Sequence, residues 1–277
     1  MGDNVLYVHE GNVLGKIEND YHHKRKELKE FYENKYLIMR KSIDSIDFSS
    51  QELSTKDYGG ASVRKCFEDA AVIFDQYFTE IRDFSKSNGI TAQSKFASTY
   101  YEEISSYLFR DLPEIKNQKL GIYNHKIYAG MKVDSRFQIS IITKDVDFCI
   151  AKKVPVIFGT QKSIDVIVPV VAVEIKTYLD ATMFGEVKSS GGAIRSACPQ
   201  SRVYVLMGYK DLKFEHIIAA RQDATLSEMF ALRKDKKNGT PIEPFVLQQY
   251  YDEIVLAIKK ATSKDVEVKY GRLLFPT

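Results

Sequence analysis

The chain is poor in the residues that build metal clips and disulfide frames. Of 277 residues, three are cysteine and five are histidine. Cys66, Cys149 and Cys198 form no C-x-x-C pair, so a disulfide framework is excluded and a reducing compartment is expected. No His/Cys spacing matches a zinc site. His22 and His23 adjoin Lys24-Arg25-Lys26 and read as part of a solvated helix face. Excess charge is small: 40 Lys and Arg against 37 Asp and Glu leave a formal net charge of +3. That excludes a histone-like binder but permits a nucleic-acid site where basic residues cluster locally. No apolar run is long enough to span a bilayer, and no N-terminal signal pattern is seen. A cytoplasmic protein with no membrane partner is therefore expected. There is no internal repeat and no low-complexity tract.

Hydrophobic residues make up 44% of the chain, enough for one large domain or a core domain with a helical elaboration. Apolar residues at helical spacing predict a long, charged helix over Ile17 to Lys41. A polar linker over Ser42 to Tyr58 follows. Ala61 to Ser85 reads as a second helix, its stripe formed by Val63, Phe67, Ala70, Phe74, Phe78 and Ile81, with a stop at Asn88-Gly89. Thr91 to Phe109 gives a third. The Tyr and Phe residues of this region are expected in the core. Then the period shortens. Gly121 to Ala129, Phe137 to Ile142 and Val146 to Ile150 read as short strands. Pro155 and Gly159 precede a long strand near Val170 to Leu179. Thr182 to Ala197 is helical in composition, interrupted by Gly191-Gly192 and stopped by Pro199. Val203 to Met207 reads as another buried strand. Helices at Leu226 to Arg233 and Phe245 to Lys260 flank the charged turn KDKKNG. This order predicts an α/β fold.

One apolar run, Val166 to Leu179, carries two opposite charges, Glu174 and Lys176. Side chains at i and i+2 on a strand share a face, and buried charge is costly unless paired or metal-bound. The tripeptide alone is weak, because Glu-x-Lys occurs six times, at Glu27, Glu33, Glu114, Glu174, Glu186 and Glu267. Glu27, Glu33 and Glu186 lie in helix-like text, Glu114 follows Pro113 in a polar linker, and Glu267 lies on a short late strand without a long apolar run. Only Glu174 sits among consecutive β-branched residues. The bland alternative is a strand-end ion pair.

A magnesium site there needs a second carboxylate, because this hard cation takes one or two carboxylates plus water and phosphate. Asp145, Asp147 and Asp165 are the candidates. On one extended segment, Asp165 would lie roughly 30 Å from Glu174, too far to share an ion unless Pro169 marks a sharp turn. Asp147, in VDFCI, belongs to a separate short strand that can lie beside the long one, about 5 Å away. Asp145 points to the same face and is the fallback.

Asp147 followed by Glu174-Ile175-Lys176 on adjacent strands resembles the PD-(D/E)xK nuclease superfamily. The acidic pair Glu102-Glu103 on an upstream helix, the text YLDATMFGEVKSSGGAIRSACP and the strand VYVLM extend the likeness over about Ser94 to Met207. YLDATMF in particular resembles a group of type II restriction endonucleases that includes heterodimeric, BbvCI-like enzymes. Val146 stands where many members carry proline. The resemblance implies a mixed β-sheet flanked by helices, a restriction-endonuclease-like core over residues 94–210. It leaves an N-terminal helical region, 1–93, for DNA contact or dimerisation, and a C-terminal helical extension, 211–277. It implies that Asp147, Glu174 and the carbonyl of Ile175 hold Mg²⁺, and that Lys176 contacts the attacking water or the scissile phosphate. Glu103 borders the stripe of Phe96, Ala97, Tyr100, Ile104 and Leu108, whereas Glu102 points away at 100° per residue. Glu103 is therefore the preferred accessory catalytic residue. Lys188 and Arg195, on the next helix, are candidate DNA contacts.

The implied activity is hydrolysis of double-stranded DNA at a specific sequence, one strand per active site, leaving 5′-phosphate ends. The expected setting is a bacterial restriction–modification system, and the expected partner is an identical or a related second subunit. Two alternatives stay open: a repair or recombination nuclease of the same fold that reads DNA structure, and a non-catalytic DNA-binding partner subunit.

Overall fold

The computed structural model describes residues 7–20, 24–49, 63–91, 95–157, 163–222, 225–236 and 240–262. The N-terminal layer is helical: α1 (Val8–Gly15), α2 (Arg25–Phe31) and α3 (Leu37–Asp44), with π-helical turns at Lys16–Asp20 and Tyr32–Tyr36. Of the long helix expected over Ile17 to Lys41, Arg25 to Lys41 is continuously helical with a π-helical turn inside it, and residues 21–23 lie outside the described residues. Next come α4 (Lys65–Ser87), α5 (Ser98–Phe109) and the single turn α6 (Pro113–Lys116), where Pro113 sits at the helix start and replaces the expected linker. Helix α4 follows its stripe, burying Phe67, Ala70, Ala71, Phe74, Tyr77 and Ile81. Helix α5 is buried on every side: between Thr99 and Phe109, only Glu102 escapes full burial. A helix of that kind lies inside the molecule.

Among the described residues seven strands follow: β1 (Gly121–Tyr123), β2 (Ile127–Val133), β3 (Ile139–Lys144), β4 (Phe148–Val156), β5 (Ile164–Leu179), β6 (Arg202–Lys210) and β7 (Glu228–Ala231). The main sheet has the order β1-β4-β5-β6-β7, while β2 and β3 form a separate ribbon. β1, β4 and β5 pair antiparallel, and β5, β6 and β7 pair parallel. Three more helices lie among the described residues: α7 (Ala181–Ala197), α8 (Phe214–Gln222) and α9 (Pro244–Thr262). The sheet is therefore mixed and flanked by helices.

The alternation along β5 divides the core. Val171, Val173 and Ile175 join the large hydrophobic cluster built with α4, α5 and α9. Ala172, on the opposite face, instead joins a smaller cluster that packs with α7, and Leu179, where the strand ends and turns into α7, joins another. The large cluster runs from Val13 to Ile258, tying the N-terminal helices, the sheet and α9 into one core. It contains the aromatic residues Phe31, Tyr36, Phe67, Phe74 and Tyr77, as their spacing predicted.

The text YLDATMF is a strand end joined to a helix start. Leu179 closes β5 in the core, and Asp180 caps α7 by accepting from the Met183 N–H at 2.9 Å. Gly191 and Gly192 do not interrupt α7. A Cβ at Gly191 would press against Thr225 and Leu226 at 3.1 Å, so the glycine lets the helix approach that segment. The helix expected over Leu226 to Arg233 is instead β7, so the C-terminal region adds a strand as well as helices. The late strand around Glu267, the pair His22-His23 and the end of KDKKNG lie outside the described residues. Among the described residues no helix is long and apolar enough to cross a membrane.

Candidate active site

The register of the β4–β5 pair assembles the site. Phe148 pairs with Val173, so Asp147, one residue earlier, falls opposite Glu174, one residue later. Glu174 and Lys176 share the strand face of Ala172, on the α7 side. The Asp147 carboxylate accepts from the Ile175 N–H at 2.7 Å and from Lys176 Nζ at 3.0 Å. Lys176 Nζ also donates to Glu174 Oε2 at 3.3 Å. The ammonium thus sits between the Glu174 carboxylate of β5 and the Asp147 carboxylate at the bend just before β4.

Glu174 is buried, whereas Asp147 and Lys176 are half-buried. Burial raises the Glu174 pKa and Asp147 adds to the rise, while Lys176 opposes it. Burial disfavours charge on Lys176, but Asp147 and Glu174 more than offset it, so its pKa is raised. Removing either sign of charge would leave the other half-buried and unpaired.

These groups open into a cleft of about 930 Å³. Its other walls include Lys95, His125, Lys144, Asp145, Glu186 and Ser189. Asp145 is exposed and lies in the wall, with no hydrogen bond to the Glu174–Lys176 pair. Asp165 is at the far end of β5, in an ion pair with Lys153 at 2.8 Å.

Two adjacent glutamates have different surroundings from those expected of them. Glu103 is fully buried away from the cleft. Its carboxylate accepts from the Glu10 N–H at 2.9 Å, Tyr36 Oη at 2.8 Å and Tyr107 Oη at 2.9 Å. Burial raises its pKa to about 7 against these three hydrogen bonds. Glu102 is the one electrostatically coupled to Asp147, Lys95 and Lys176; burial, then the Asp147 charge, raises its pKa to about 7. The structure thus does not bring Glu103, the expected accessory residue, to the cleft; of the two glutamates, Glu102 is the one whose charge is felt at Asp147 and Lys176. The helical wheel assumed one inward stripe, but α5 is enclosed by the N-terminal helices on one side and the sheet on the other.

Lys188 and Arg195 do not line the cleft. Lys188 lies over the Phe184 ring at 5.8 Å, and the α7 residues that face the cleft include Gly185, Glu186, Ser189 and Ser190. Sequence reading missed Lys95 and Lys144. Lys144 had one available signal, its place immediately before Asp145 and three residues before Asp147.

The model of the Bpu10I restriction endonuclease family matches residues 93–251, more than half of the chain. Comparison with curated proteins gives no match. A solved structure described as the native BbvCI A2B2 tetramer at low resolution superposes with a TM-score of 0.73 at 15% identity, covering 94% of this chain and 98% of that one. At such identity the likeness establishes a common fold. With the family match over the segment that includes Asp147, Glu174 and Lys176, the chain belongs to the Bpu10I restriction endonuclease family, a family of type II site-specific endonucleases.

Proposed function

We propose that the chain is a Mg²⁺-dependent subunit of a type II restriction endonuclease of the PD-(D/E)xK kind. It hydrolyses phosphodiester bonds of double-stranded DNA at a specific sequence, one strand per site, leaving 5′-phosphate and 3′-hydroxyl ends. One observation carries this reading: the Lys176 ammonium is held between Asp147, just before β4, and Glu174 of the neighbouring β5, at the wall of an open cleft.

The donor set suits a hard cation. Among the described residues no group of three or more His, Cys, Asp or Glu is placed to hold a metal ion. Two carboxylates and a main-chain carbonyl nevertheless match magnesium, which keeps several waters and takes substrate phosphate as well. Asp147, Glu174 and the Ile175 carbonyl would hold it. When bound, Mg²⁺ polarises the phosphoryl oxygen and stabilises the charge that develops there.

The protein's own groups do the positioning. Lys176 donates a hydrogen bond to the attacking water or to a non-bridging oxygen of the scissile phosphate. Water attacks phosphorus in line with the 3′ oxygen, which leaves and takes up a proton. Glu102, coupled to Asp147 and Lys176, supports the accessory position. Lys95 and Lys144 supply positive charge to the flanking backbone. A second subunit, identical or related, would bring the site for the other strand; the BbvCI structure, an A2B2 tetramer, supports such an assembly. Residues 1–93 and 211–277 are then the regions around a catalytic core at 94–210 that can serve dimerisation and further DNA contact. The same reading places the enzyme in a restriction–modification system of the bacterial cytoplasm.

Lys176→Ala and Glu174→Ala should each lower plasmid cleavage by at least about 10³-fold with the fold intact by circular dichroism. Wild-type cutting by either variant would sink the assignment. Asp147→Asn should be dead and Asp145→Asn active; the reverse pattern would move the metal ligand to Asp145.

A further inference from the structure

The β2–β3 ribbon gives the cleft only Thr143 and Lys144, at its base. Most of its remaining residues are exposed. Its outer pairing is regular, with Met131 opposite Ile141, Lys132 opposite Ser140 and Val133 opposite Ile139. The connecting turn is firmly built. Asp134 Oδ1 accepts from the Arg136 N–H at 2.8 Å and the Gln138 N–H at 2.9 Å, and the Phe137 N–H donates to the Asp134 carbonyl at 3.0 Å. This turn holds Phe137 at φ +59°, a region that bulky side chains rarely adopt. The ring is left 88% exposed. A strained backbone that presents an aromatic ring to solvent points to a use for that ring.

Charge is concentrated in the same place. Residues 126–144 contain Lys126, Lys132, Arg136 and Lys144 against Asp134 alone, a net +3 that equals the formal net charge of the whole chain. None of the four basic residues is in an ion pair among the described residues. The ribbon is thus basic, narrow, apolar on the Met131–Val133–Ile139 face and continuous with the cleft. The basic excess selects a polyanion over a protein surface as its occupant.

We propose that the β2–β3 ribbon is the DNA-reading element of this enzyme, entering the major groove beside the scissile phosphate. The proposal rests on the DNA-cleaving function. The major groove admits a two-stranded ribbon, and apolar side chains can contact thymine methyl groups there. Lys132 and Arg136 meet phosphates or base edges, and Phe137 packs on bases at the tip. From Lys144 to the turn is on the order of 20 Å at the strand rise, or about six base pairs at 3.4 Å each.

The test uses the full-length chain, with its second subunit where the active enzyme contains one. A plasmid digest maps the cleavage site, and a duplex carrying that site is the binding probe, with Ca²⁺ replacing Mg²⁺. Phe137→Ala and Lys132→Ala/Arg136→Ala should keep the wild-type circular dichroism, melting temperature and assembly state. Both should bind the duplex at least 10-fold more weakly. The double variant should lower the slope of log affinity against log salt by about 2. Phe137→Ala should tolerate base-pair changes within about six pairs of the cut that the wild type rejects. Wild-type affinity, salt slope and discrimination in these variants would overturn the ribbon's role while cleavage by the parent enzyme left the nuclease reading standing. A changed sedimentation state with unchanged DNA binding would also overturn it, making the ribbon a subunit contact. If the parent enzyme neither binds nor cuts DNA, both readings fall.

Discussion

Neighbouring residues of one helix can belong to different parts of the molecule, as Glu102 and Glu103 do. Glu103 ties α5 to the N-terminal helices through Tyr36, Tyr107 and the Glu10 main chain, and Glu10 in turn is held by Arg40 at 2.7 Å and Tyr32 at 2.8 Å. Glu102 belongs electrostatically to Asp147 and Lys176. Glu102→Gln should therefore slow plasmid cleavage by about 10- to 100-fold with little change in melting temperature. Glu103→Gln should leave cleavage within a few-fold of wild type, while Glu103→Leu, which strands its donors, should cost about 1–3 kcal/mol in urea unfolding. Equal losses of cleavage in the two Gln variants would remove Glu102 from the site. Glu174 and Lys176 were legible because opposite charges interrupt a β-branched run. The choice between two adjacent glutamates was not, because it depends on what encloses α5 from each side.

At the level of elements, strand β5 was readable from its own composition, whereas β7 was not. Glu228-Met229-Phe230-Ala231 has helical composition, but β6 offers it an open edge with Tyr204 opposite Glu228 and Leu206 opposite Phe230. Arg233 then anchors the segment, donating to Tyr101 Oη at 2.8 Å and the Thr240 carbonyl at 3.0 Å. Tertiary pairing overrode local propensity.

The seating of α5 on the sheet depends on Gly208 of β6. A Cβ there would collide with the Thr177 carbonyl and lie 2.8 Å from Tyr101 Oη. Gly208→Ala should lower stability by about 1–3 kcal/mol and reduce cleavage, because Thr177 adjoins Lys176. Unchanged melting and activity would show that the crossing can relax. A second element-level consequence concerns His9 of α1. It is fully buried, within hydrogen-bond distance of Thr99 Oγ1 at 3.1 Å and Tyr77 Oη at 2.9 Å. Burial lowers its pKa from 6.5 to about 3. A depressed histidine pKa gives stability that is fully present above the unfolded value near 6.5 and is lost as pH falls toward the folded one. The slope is about 1.4 kcal/mol per pH unit. Urea denaturation should thus show a loss of about 2 kcal/mol between pH 6.5 and 5 that is missing from His9→Gln. The same loss in the variant would assign it to other groups.

For the whole molecule, the fold was legible in its catalytic half, where strand periodicity and the charged run coincide. It was less legible in the N-terminal layer, where a common core with α9 replaces separable helices. Assembly has a direct consequence for cleavage. In the proposed mechanism a single Asp147–Glu174–Lys176 set would hold one phosphate, and the two strands of a duplex run in opposite directions, so a double-strand break would call for two sites related by an approximate two-fold axis. An assembly with one live site should cut one strand and stop. Enzyme assembled from wild-type and Lys176→Ala chains, or from a Lys176→Ala chain and an intact second subunit, should convert supercoiled plasmid to nicked circles with little linear product. Fully wild-type enzyme should yield linear DNA. Gel electrophoresis over the course of the reaction separates the three forms. Linear product from one-site assemblies at the wild-type rate would mean that one site serves both strands in turn, and the pairing of one strand with one active site would have to be abandoned.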